Sequence, residues 1–509
     1  MKYIKKILKI FAVLCLVIIS LSFILYGFLQ SSKVQTYIIN YAASKITKIT
    51  NTPVHIGKVN LFFWNRFSFE DVFIGDDRGD TLVFAKKMKV HISLFDLPTQ
   101  KFTVRRLSFD EAYFNILMDS SNNDNVSFLA NLFDADTTND TIPQSWNISV
   151  KQFVLTKSRF RYQNFYKQQQ WGKGEVNFDD LRLQDIDLNI SNIQLYDDSV
   201  SMQINELFLR EYTGICIKQL NAKASFGKNF FNFRNVYVRV EKSVIKALEL
   251  KFEFEDLKSL KYFTTKVKLN YKFESAIVNL GDIRYFSNIF EGAKNKVTLI
   301  GELTGTVKDF KGKNIELFFD TATRLYGNFD ITGLPVLDNT FFHFEIEKLV
   351  TNYNDLCKIQ SYPFTDSINI YVSPYINNLG NLTYKGYFTG FYNDFVAYGK
   401  LRTDFGTIET DLKISLNQQN DAISLAGLLN TNTLNIGKIF ETSELGTLTM
   451  NTVLNGEYNT SDSFMFSIQG NVKQLEFHNY NYSQIIIAGE VSEKEYVGTI
   501  LINDENLIA

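Results

Sequence analysis

The residues that could carry out catalysis or bind a metal are few in this 509-residue chain, and they lie far apart in the sequence. Metal binding and acid–base catalysis both require several side chains that converge on one point. No histidine stands at a ligand-like spacing from another, and His91 falls on the polar face of a predicted strand, where water solvates it. We therefore predict no metal site, no cofactor and no enzymatic activity. The four histidines are His55, His91, His343 and His478.

The cysteines and the acidic residues offer no better candidate. Cys216 and Cys357 are the only cysteines outside the apolar N-terminal stretch, and we predict unpaired thiols, with one disulfide as the alternative. Four aspartates could suggest calcium, but their spacing departs from the EF-hand pattern, and turn chemistry explains them. The chain contains no nucleophile-elbow, phosphate-loop, zinc-protease or C-x-x-C motif. The four aspartates are Asp71, Asp76, Asp77 and Asp80.

The composition indicates a folded protein built mainly from strands. Aromatic residues make up 15% of the chain, with 46 Phe and 26 Tyr, and such residues favour strands over helices. The hydrophobic content of 45% is typical of a folded chain. A net charge of −2 provides no basic surplus, so nucleic acid is not an expected partner.

Apolar and polar residues alternate along several segments, which places the apolar ones on one face of a strand. A slip in the alternation between Leu183 and Ile186 indicates a bulge or a turn. The segments 76–80 and 197–198 and the residue Gly312 lie between such runs and predict turns. The apolar faces of these strands are the remaining candidates for a functional surface, and each is either part of an ordinary β-core or one wall of a hydrophobic groove. The candidates are Met88, Val90, Ile92, Leu94, Leu181, Leu183, Phe464, Phe466 and Ile468.

The N-terminus begins with a run of 20 uncharged residues, Ile10 to Leu29, which is long enough to cross a bilayer as a helix. Lysines precede it, so residues 1–9 are predicted to stay in the cytoplasm. A cleaved signal peptide is the alternative, but the run is long and lacks a small-x-small site. Residues 31–50 predict an amphipathic helix with a capping box at Ser32 and Gln35. This helix either packs its apolar face on the following strands or lies at the membrane surface as a lid.

Two weak internal repeats indicate a repetitive sheet. A G-x-x-T-G-x-x-x-D-F pattern begins at Gly301 and again at Gly386, and an N-x-G-x-I pattern begins at Asn279 and again at Asn435. At about 8 to 12 residues for each strand and turn, the chain predicts roughly 40 to 55 strands. The apolar face of such a sheet is either filled by its own side chains or curled into a trough that holds something apolar. The sequence does not separate these two alternatives.

The order of the N-terminal segments resembles that of TamB-like proteins of the Bacteroidetes type, which belong to the wider AsmA-like family of bacterial envelopes. The resemblance rests on the anchor, on Val34-Gln-Thr-Tyr-Ile, on Pro53-Val-His-Ile-Gly-Lys-Val-Asn-Leu, on Phe69-Glu-Asp-Val-Phe-Ile, on Asp76-Asp-Arg-Gly-Asp-Thr-Leu and on Val90-His-Ile-Ser-Leu. It implies an inner-membrane anchor at 10–29, an AsmA/TamB-like β-domain at 51–150 with a loop at 119–146, and a repetitive periplasmic β-sheet at 151–509. Because the chain stops within a predicted strand, we expect either a truncated gene product of the family or a fragment.

The resemblance also implies a function. Family members bridge the periplasm with a curled, β-taco-like sheet, whose hydrophobic groove is thought to move phospholipids between the inner and outer membranes. The expected partners are therefore phospholipids, the inner membrane and an Omp85-type outer-membrane barrel. Two alternatives stay open: an assembly factor for outer-membrane proteins that works with such a barrel, and a structural β-solenoid without a ligand.

Overall fold

The computed structural model contains two compact units. The first consists of Met1–Ser225 and Val238–Glu241, and the second of Phe226–Tyr237 and Lys242–Ala509. The described residues are 31–50, 52–62, 65–76, 78–93, 101–121, 123–127, 147–166, 174–196, 198–286, 290–334, 336–359, 372–417, 422–459 and 463–509.

The described chain is mostly β-structure, as the composition predicts, and its 24 strands belong to one sheet. The strands are β1 (Val54–Phe62), β2 (Arg66–Gly75), β3 (Thr81–Ile92), β4 (Lys101–Met118), β5 (Asn147–Val150), β6 (Gln152–Asn164), β7 (Asp180–Tyr196), β8 (Ser199–Glu211), β9 (Cys216–Gly227), β10 (Phe230–Val240), β11 (Ser243–Glu253), β12 (Lys268–Asn279), β13 (Lys296–Gly305), β14 (Asp309–Phe319), β15 (Thr323–Thr332), β16 (Phe341–Thr351), β17 (Leu382–Phe391), β18 (Asp394–Thr403), β19 (Gly406–Asn417), β20 (Ala422–Asn435), β21 (Leu445–Asn459), β22 (Phe464–Phe477), β23 (Tyr480–Ser492) and β24 (Tyr496–Ile502).

The helices are few and short apart from the first. They are α1 (Ser32–Thr50), α2 (Phe263–Lys266), α3 (Leu280–Ile283), α4 (Tyr353–Ile359) and α5 (Ile436–Phe440), with 3-10 helices at Leu257–Tyr262, Leu337–Asn339 and Pro374–Leu379. Within the described residues, no helix is both long and apolar enough to span a bilayer. The predicted anchor at 10–29 and the cytoplasmic tail at 1–9 lie outside the described residues, as does most of the predicted loop at 119–146.

Each strand pairs mainly with its neighbours in the chain. In the first unit, β4 pairs with β5 and β6 in parallel, whereas the other registered pairs among β1 to β8 are antiparallel. In the second unit, β11 to β24 form an uninterrupted antiparallel meander. The prediction of 40 to 55 strands was wrong, because most strands are long and continue through irregular positions that look like breaks in the sequence.

In the first unit, several of these irregular positions are β-bulges that lie beside one another on adjacent strands. Asp71, Glu111, Lys157 and Asp185 all adopt left-handed backbone conformations, with φ between 47° and 54°. Glu111 lies beside Lys157 in the register of β4 with β6, and the register of β6 with β7 shifts next to Asp185. The predicted bulge between Leu183 and Ile186 is therefore confirmed. A bulge adds one residue and bends its strand, so neighbouring bulges bend the sheet together.

The bulges also change which residues share a face. Val72, Ala85 and Ala112 form a buried cluster, and Met88 and Phe109 pack against the same cluster although each is three residues from a member of it. In a regular strand, residues three apart point to opposite faces. The extra residue at each bulge reverses the alternation, so apolar residues on both sides of the bulge reach one face.

The repeats found in the sequence correspond to equivalent positions in the second unit. Gly305 is the last residue of β13 and Gly390 the second-last of β17, and each lies opposite the phenylalanine at the second position of the next strand. A side chain at Gly305 would place its Cβ 2.1 Å from the Asp309 carbonyl oxygen, and one at Gly390 would place it 2.4 Å from that of Asp394. The motif therefore encodes the same close hairpin approach twice, four strands apart.

The asparagine repeat marks the ends of strands four apart. Asn279 is the last residue of β12 and accepts a hydrogen bond from the Gly281 amide, and Asn435 is the last residue of β20 and accepts one from the Lys438 amide. Asn352 does the same after β16, where its side chain accepts from the Asp355 amide at 2.9 Å. Each asparagine begins a short helix, because its side chain satisfies an amide that the first turn leaves unpaired. The second unit therefore repeats every four strands.

Gly312 does not form the turn that the sequence indicated. It lies inside β14, where it pairs with Phe329 of β15. A Cβ at this position would lie 2.4 Å from the Phe329 ring. The glycine leaves room for the Phe329 ring. In the sequence, a glycine within a strand cannot be distinguished from a glycine in a turn.

Helix α1 lies along the outer edge of β1. The Val59 amide donates to Thr36 Oγ1 at 2.9 Å, the Leu61 amide donates to Gln35 Oε1 at 2.7 Å, and the Asn40 side-chain amide donates to the Ile56 carbonyl at 2.8 Å. The predicted capping box was wrong, because the Ser32 hydroxyl instead donates to the Val59 carbonyl. The backbone groups of an edge strand are unpaired, and these side chains satisfy them.

Candidate functional site

Two adjacent rows of residues cross the second unit from β11 to β24 without a charged side chain. Each row contains one residue from each strand, and each member is the registered partner of the next. Apolar row 1 is Phe252, Leu269, Gly305, Phe310, Ile331, Phe342, Gly390, Phe395, Ile414, Leu425, Gly456, Phe466, Val491 and Tyr496. Apolar row 2 is Leu250, Tyr271, Leu303, Gly312, Phe329, Phe344, Phe388, Ala397, Leu412, Gly427, Leu454, Ile468, Gly489 and Gly498.

The positions between these two rows form a third row on the opposite face of the sheet, called here the polar row. Only Val396, Ala426 and Val497 are apolar in it. The two faces of one sheet therefore differ in chemistry across all fourteen strands, as period-2 alternation requires. The polar row is Lys251, Asn270, Thr304, Lys311, Asp330, His343, Thr389, Val396, Lys413, Ala426, Asn455, Ser467, Glu490 and Val497.

Phenylalanine rings form a ladder across the middle of the two apolar rows. Ring centroids lie 5.7 Å apart between Phe310 and Phe329, 6.0 Å between Phe329 and Phe344, and 6.1 Å between Phe344 and Phe388. Phe388 and Phe395 stack at 4.1 Å. Cross-strand aromatic pairs at such distances stabilise a sheet. The ladder therefore fixes the ring positions without a contribution from polar groups.

The side chains of the apolar rows are only half-buried for the most part. Leu269, Leu303 and Leu412 are buried, but the five rings of the ladder keep part of their surface exposed. A sheet face that a second layer covers is normally buried throughout. The rows are therefore covered at the β11–β12 end, where Phe252, Leu269 and Tyr271 pack with Phe254 and Val267, and are partly exposed along the ladder.

The phenol of Tyr271 lies in the buried part of these rows, against the core of Phe254, Val267 and Leu269. Burial alone raises its pKa well above the usual value for tyrosine. Tyr271 packs against Phe252 at 5.4 Å and Phe273 at 5.8 Å between ring centroids. Burial also raises the pKa of Tyr384, on β17. At these two positions, burial disfavours the charged form of the phenol.

The first unit contains two comparable rows, which include two of the sequence-predicted candidates. Met88 lies in one and Val90 in the other, and both are half-buried. All members of both rows are apolar. The rows are Val59, Phe69, Met88, Phe109, Leu155, Leu188 and Leu207, and then Leu61, Phe67, Val90, Leu107, Phe153, Ile190 and Ile204.

The remaining candidates are placed as follows. Ile92 is buried and pairs with Val104, and Leu94 lies outside the described residues. Leu183 pairs with Phe160, and Leu181 pairs with Tyr162. Phe466 belongs to apolar row 1 and Ile468 to apolar row 2, and Phe464 lies on the same face two residues before Phe466. The candidates thus fall into separate groups in the two units and do not converge on one point.

The phenylalanine ladder was missed by the sequence reasoning. The alternation Phe342-His343-Phe344 on β16 is a usable signal. On the neighbouring strands, glycines take the place of large side chains in the rows, as Gly312 and Gly390 do. Such positions interrupt a hydrophobic pattern in the sequence although they continue it in space.

The aspartates and cysteines that were considered for metal binding or catalysis have local structural roles or are free thiols. Asp76 Oδ1 accepts from the amides of Arg78 at 3.0 Å and Asp80 at 2.8 Å, which closes the predicted turn. Cys216 and Cys357 are free thiols, and burial raises the pKa of Cys216. Within the described residues, no three histidine, cysteine, aspartate or glutamate side chains lie close enough to hold a metal ion.

His91 is half-buried and not simply solvated on its strand. Burial, with smaller effects from Arg66 and Arg105, lowers its pKa. Its Nε2 atom lies 3.2 Å from the side-chain amide nitrogen of Asn65. The uncharged form of the imidazole is therefore favoured, and a hydrogen bond with Asn65 explains its position.

One open cavity of about 710 Å³ lies on the polar face, where β16 departs from regular pairing. Tyr326, Lys348 and Lys385 belong to its wall. They are on the opposite side of the sheet from the phenylalanine ladder, because their registered partners continue the polar face. The cavity is therefore separate from the apolar rows.

Comparisons with known proteins give this chain no relative. No family model, no curated protein and no solved structure matches it. The class of site is thus defined by the geometry alone: an extended apolar sheet face with a polar reverse face.

Proposed function

We propose that this protein is a non-enzymatic phospholipid conduit of the TamB/AsmA type, anchored in the inner membrane with its sheet in the periplasm. In this proposal, the sheet is a β-taco-like trough, and the apolar rows hold acyl chains as lipids pass between the inner and outer membranes. The observation that carries the proposal is the pair of adjacent rows across fourteen strands without a charged side chain.

The dimensions of the rows support acyl chains as the ligand. Strands are about 4.8 Å apart, so fourteen strands extend the rows over roughly 60 Å along the sheet. The chains of one membrane leaflet occupy only about 15 Å, half of the hydrocarbon core. A surface this long accommodates several chains in succession, whereas a binding pocket for one lipid requires far less.

The chemistry of the rows favours a ligand recognised by its hydrocarbon. Each methylene removed from water contributes about 0.8 kcal/mol. The rows offer rings and aliphatic groups but no hydrogen-bonding group other than the tyrosines at two positions, Tyr271 and Tyr496. We therefore expect binding that depends on chain length and little selection among headgroups.

A second candidate function is assembly of outer-membrane proteins together with an Omp85-type barrel. The observation that favours it is the composition of β24, Tyr496–Ile502, which has no charged residue. Val497 and Leu501 are 63% and 52% exposed, and β24 has a registered partner on one side only among the described strands. An apolar strand edge can pair with a strand of a client protein.

Photo-crosslinking on one strand separates these functions. Phe344 and Phe341 are the same residue type on the same strand, but Phe344 belongs to apolar row 2 and Phe341, 40% exposed, lies on the opposite face. The photoreactive residue p-benzoylphenylalanine is placed at either position in the full chain, in cells. Phospholipid adducts at position 344 and not at 341 support the conduit.

The other outcomes are also decisive. Lipid adducts at neither position, or equal yields at both, contradict the conduit. Adducts at position 500 of β24 with outer-membrane proteins, in the absence of lipid at position 344, favour the assembly function instead. A chain that gives neither kind of adduct fits the ligand-free structural solenoid.

A further inference from the structure

Helix α1 presents two unlike faces, of which one is accounted for by the sheet. Its sheet-facing side contains Ser32, Thr36, Asn40 and Thr47, which are one or two helical turns apart. All four form hydrogen bonds with backbone groups of β1. Ala43, in the same stripe, is buried. The side of the helix that packs on the protein is thus its polar side.

The opposite side of α1 contains three large apolar residues that face outward, and by helical position Lys45 and Lys48 share this side. Tyr37, Ile38 and Tyr41 are 76%, 49% and 59% exposed. At 100° per residue they centre almost opposite the stripe of Ser32, Thr36 and Asn40. A surface helix of a soluble protein has the reverse arrangement, with its apolar side inward. An outward side with exposed apolar residues is typical of a helix that lies in a membrane interface.

The sequence around α1 indicates the same environment. The uncharged run Ile10 to Leu29 ends two residues before the helix begins at Ser32. If that run enters a bilayer, α1 starts at the surface of the same bilayer, with no linker long enough to carry it away. The helix contains three lysines and no acidic residue. Tyrosines and lysines together are typical of helices that lie in the interface of a membrane.

We propose that α1 lies in the interface of a lipid bilayer, with Tyr37, Ile38 and Tyr41 inserted and with its polar side sealing the edge of β1. The helix would therefore orient the first strand of the sheet relative to the membrane surface. This inference does not rest on the lipid conduit, because α1 can bind a bilayer whether or not the apolar rows carry acyl chains.

A matched pair of tyrosines tests the proposal. Tyr41 and Tyr196 are both 59% exposed, and Tyr196 is at the end of β7. The full chain is prepared with p-benzoylphenylalanine at one position or the other and is reconstituted into vesicles of phosphatidylcholine and phosphatidylglycerol. We expect lipid adducts at position 41 with at least a tenfold higher yield than at position 196.

Three results would overturn the inference. They are equal yields at both positions, no lipid adduct at position 41, and adducts at position 41 that join two copies of the chain. The last result would identify α1 as a self-association surface. Lipid adducts at position 41 without any at position 344 would support the membrane helix while contradicting the conduit, so the two proposals fail independently.

Discussion

Placing a charge in the phenylalanine ladder is the most informative single change. Phe344 has three neighbouring rings, with centroid distances of 6.0 Å to Phe329, 6.1 Å to Phe388 and 5.9 Å to Phe342. Phe344→Lys puts an ammonium group where the conduit requires hydrocarbon. The matched variant is Phe341→Lys, which adds the same charge to the opposite face of the same strand.

The expected magnitude follows from the position of the side chain. A lysine in the middle of a hydrocarbon layer costs about 3 kcal/mol. Phe344 is half-buried, and a lysine can extend its ammonium group toward water, so we expect about 2 kcal/mol here. At 1.4 kcal/mol for each factor of ten, acyl-chain occupancy beside β16 falls about thirtyfold.

The assay follows a fluorescent phospholipid from donor vesicles that contain the full chain to acceptor vesicles. We expect transfer to fall by about this factor for Phe344→Lys and to stay within twofold of the parent for Phe341→Lys, as order-of-magnitude figures for a single desolvated charge. Circular dichroism checks that both variants keep their strand content. Equal transfer by the two lysine variants would refute the assignment of the ladder as the lipid-contacting face.

Three further predictions concern the framework. Asp355 is fully buried and accepts hydrogen bonds from the amides of Ala322 at 2.9 Å and Thr323 at 2.8 Å. Asp355→Ala should therefore lower the free energy of unfolding by about 2 to 4 kcal/mol. Urea unfolding measures this change against the exposed control Asp411→Ala. Burial opposes ionisation of Asp355, but these hydrogen bonds hold its pKa below the usual value; its contribution to stability is therefore present above the unfolded-state pKa and is lost as the pH falls through the folded-state pKa. Gly327→Ala would place a Cβ 2.0 Å from the Glu345 carbonyl oxygen, so amides of β15 and β16 should exchange hydrogen faster. Gly79→Ala strains a turn of the first unit, where φ is 86°, but has no atom within 4 Å of the added Cβ, so it should leave the amides of β15 and β16 unchanged. Replacing Thr36 with Val and Asn40 with Leu should expose the edge of β1 and speed exchange of the Ile56 and Val59 amides, and unchanged exchange would contradict the edge-sealing role of α1.

The parts of the fold that follow from local alternation could be predicted from the sequence. Met88 and Val90 share a face with their cross-strand partners, as the period-2 pattern indicates, and the two repeat motifs occupy equivalent hairpins. These features depend on residues within one strand or turn. The predominance of strands follows from the same local signals.

The parts that depend on several strands at once could not be predicted. The bulges at Asp71, Glu111 and Lys157 bend the sheet together because they lie side by side on neighbouring strands. Their alignment depends on the strand register, which a single sequence does not give. The strand number was overestimated for this reason, since each bulge looks like an end. Likewise, Asp355 reaches the β14–β15 hairpin from the helix after β16, a contact across 32 residues that no spacing rule anticipates.

The sequence left open which face of α1 contacts the sheet. The structure places polar side chains of α1 against β1, because an edge strand has unpaired amides and carbonyls that such side chains satisfy. Gln35 and Thr36 contact β1, whereas Tyr37 and Ile38 face outward. Which of two faces a helix uses depends on the hydrogen bonds that its neighbour lacks, and the sequence of the helix does not contain that information.

A photoreactive lipid tests the central claim most directly, because the protein needs no substitution. Cells that make the full chain are supplied with a fatty acid carrying a diazirine in its tail, irradiated, and the labelled peptides are mapped by mass spectrometry. We predict adducts on the phenylalanine ladder, at Phe310, Phe329, Phe344, Phe388 and Phe395, and none on Lys311, Asp330 or His343 of the polar row. Labelling of both faces alike, or labelling confined to residues 10–50, would contradict the assignment of the apolar rows as the working surface of this protein.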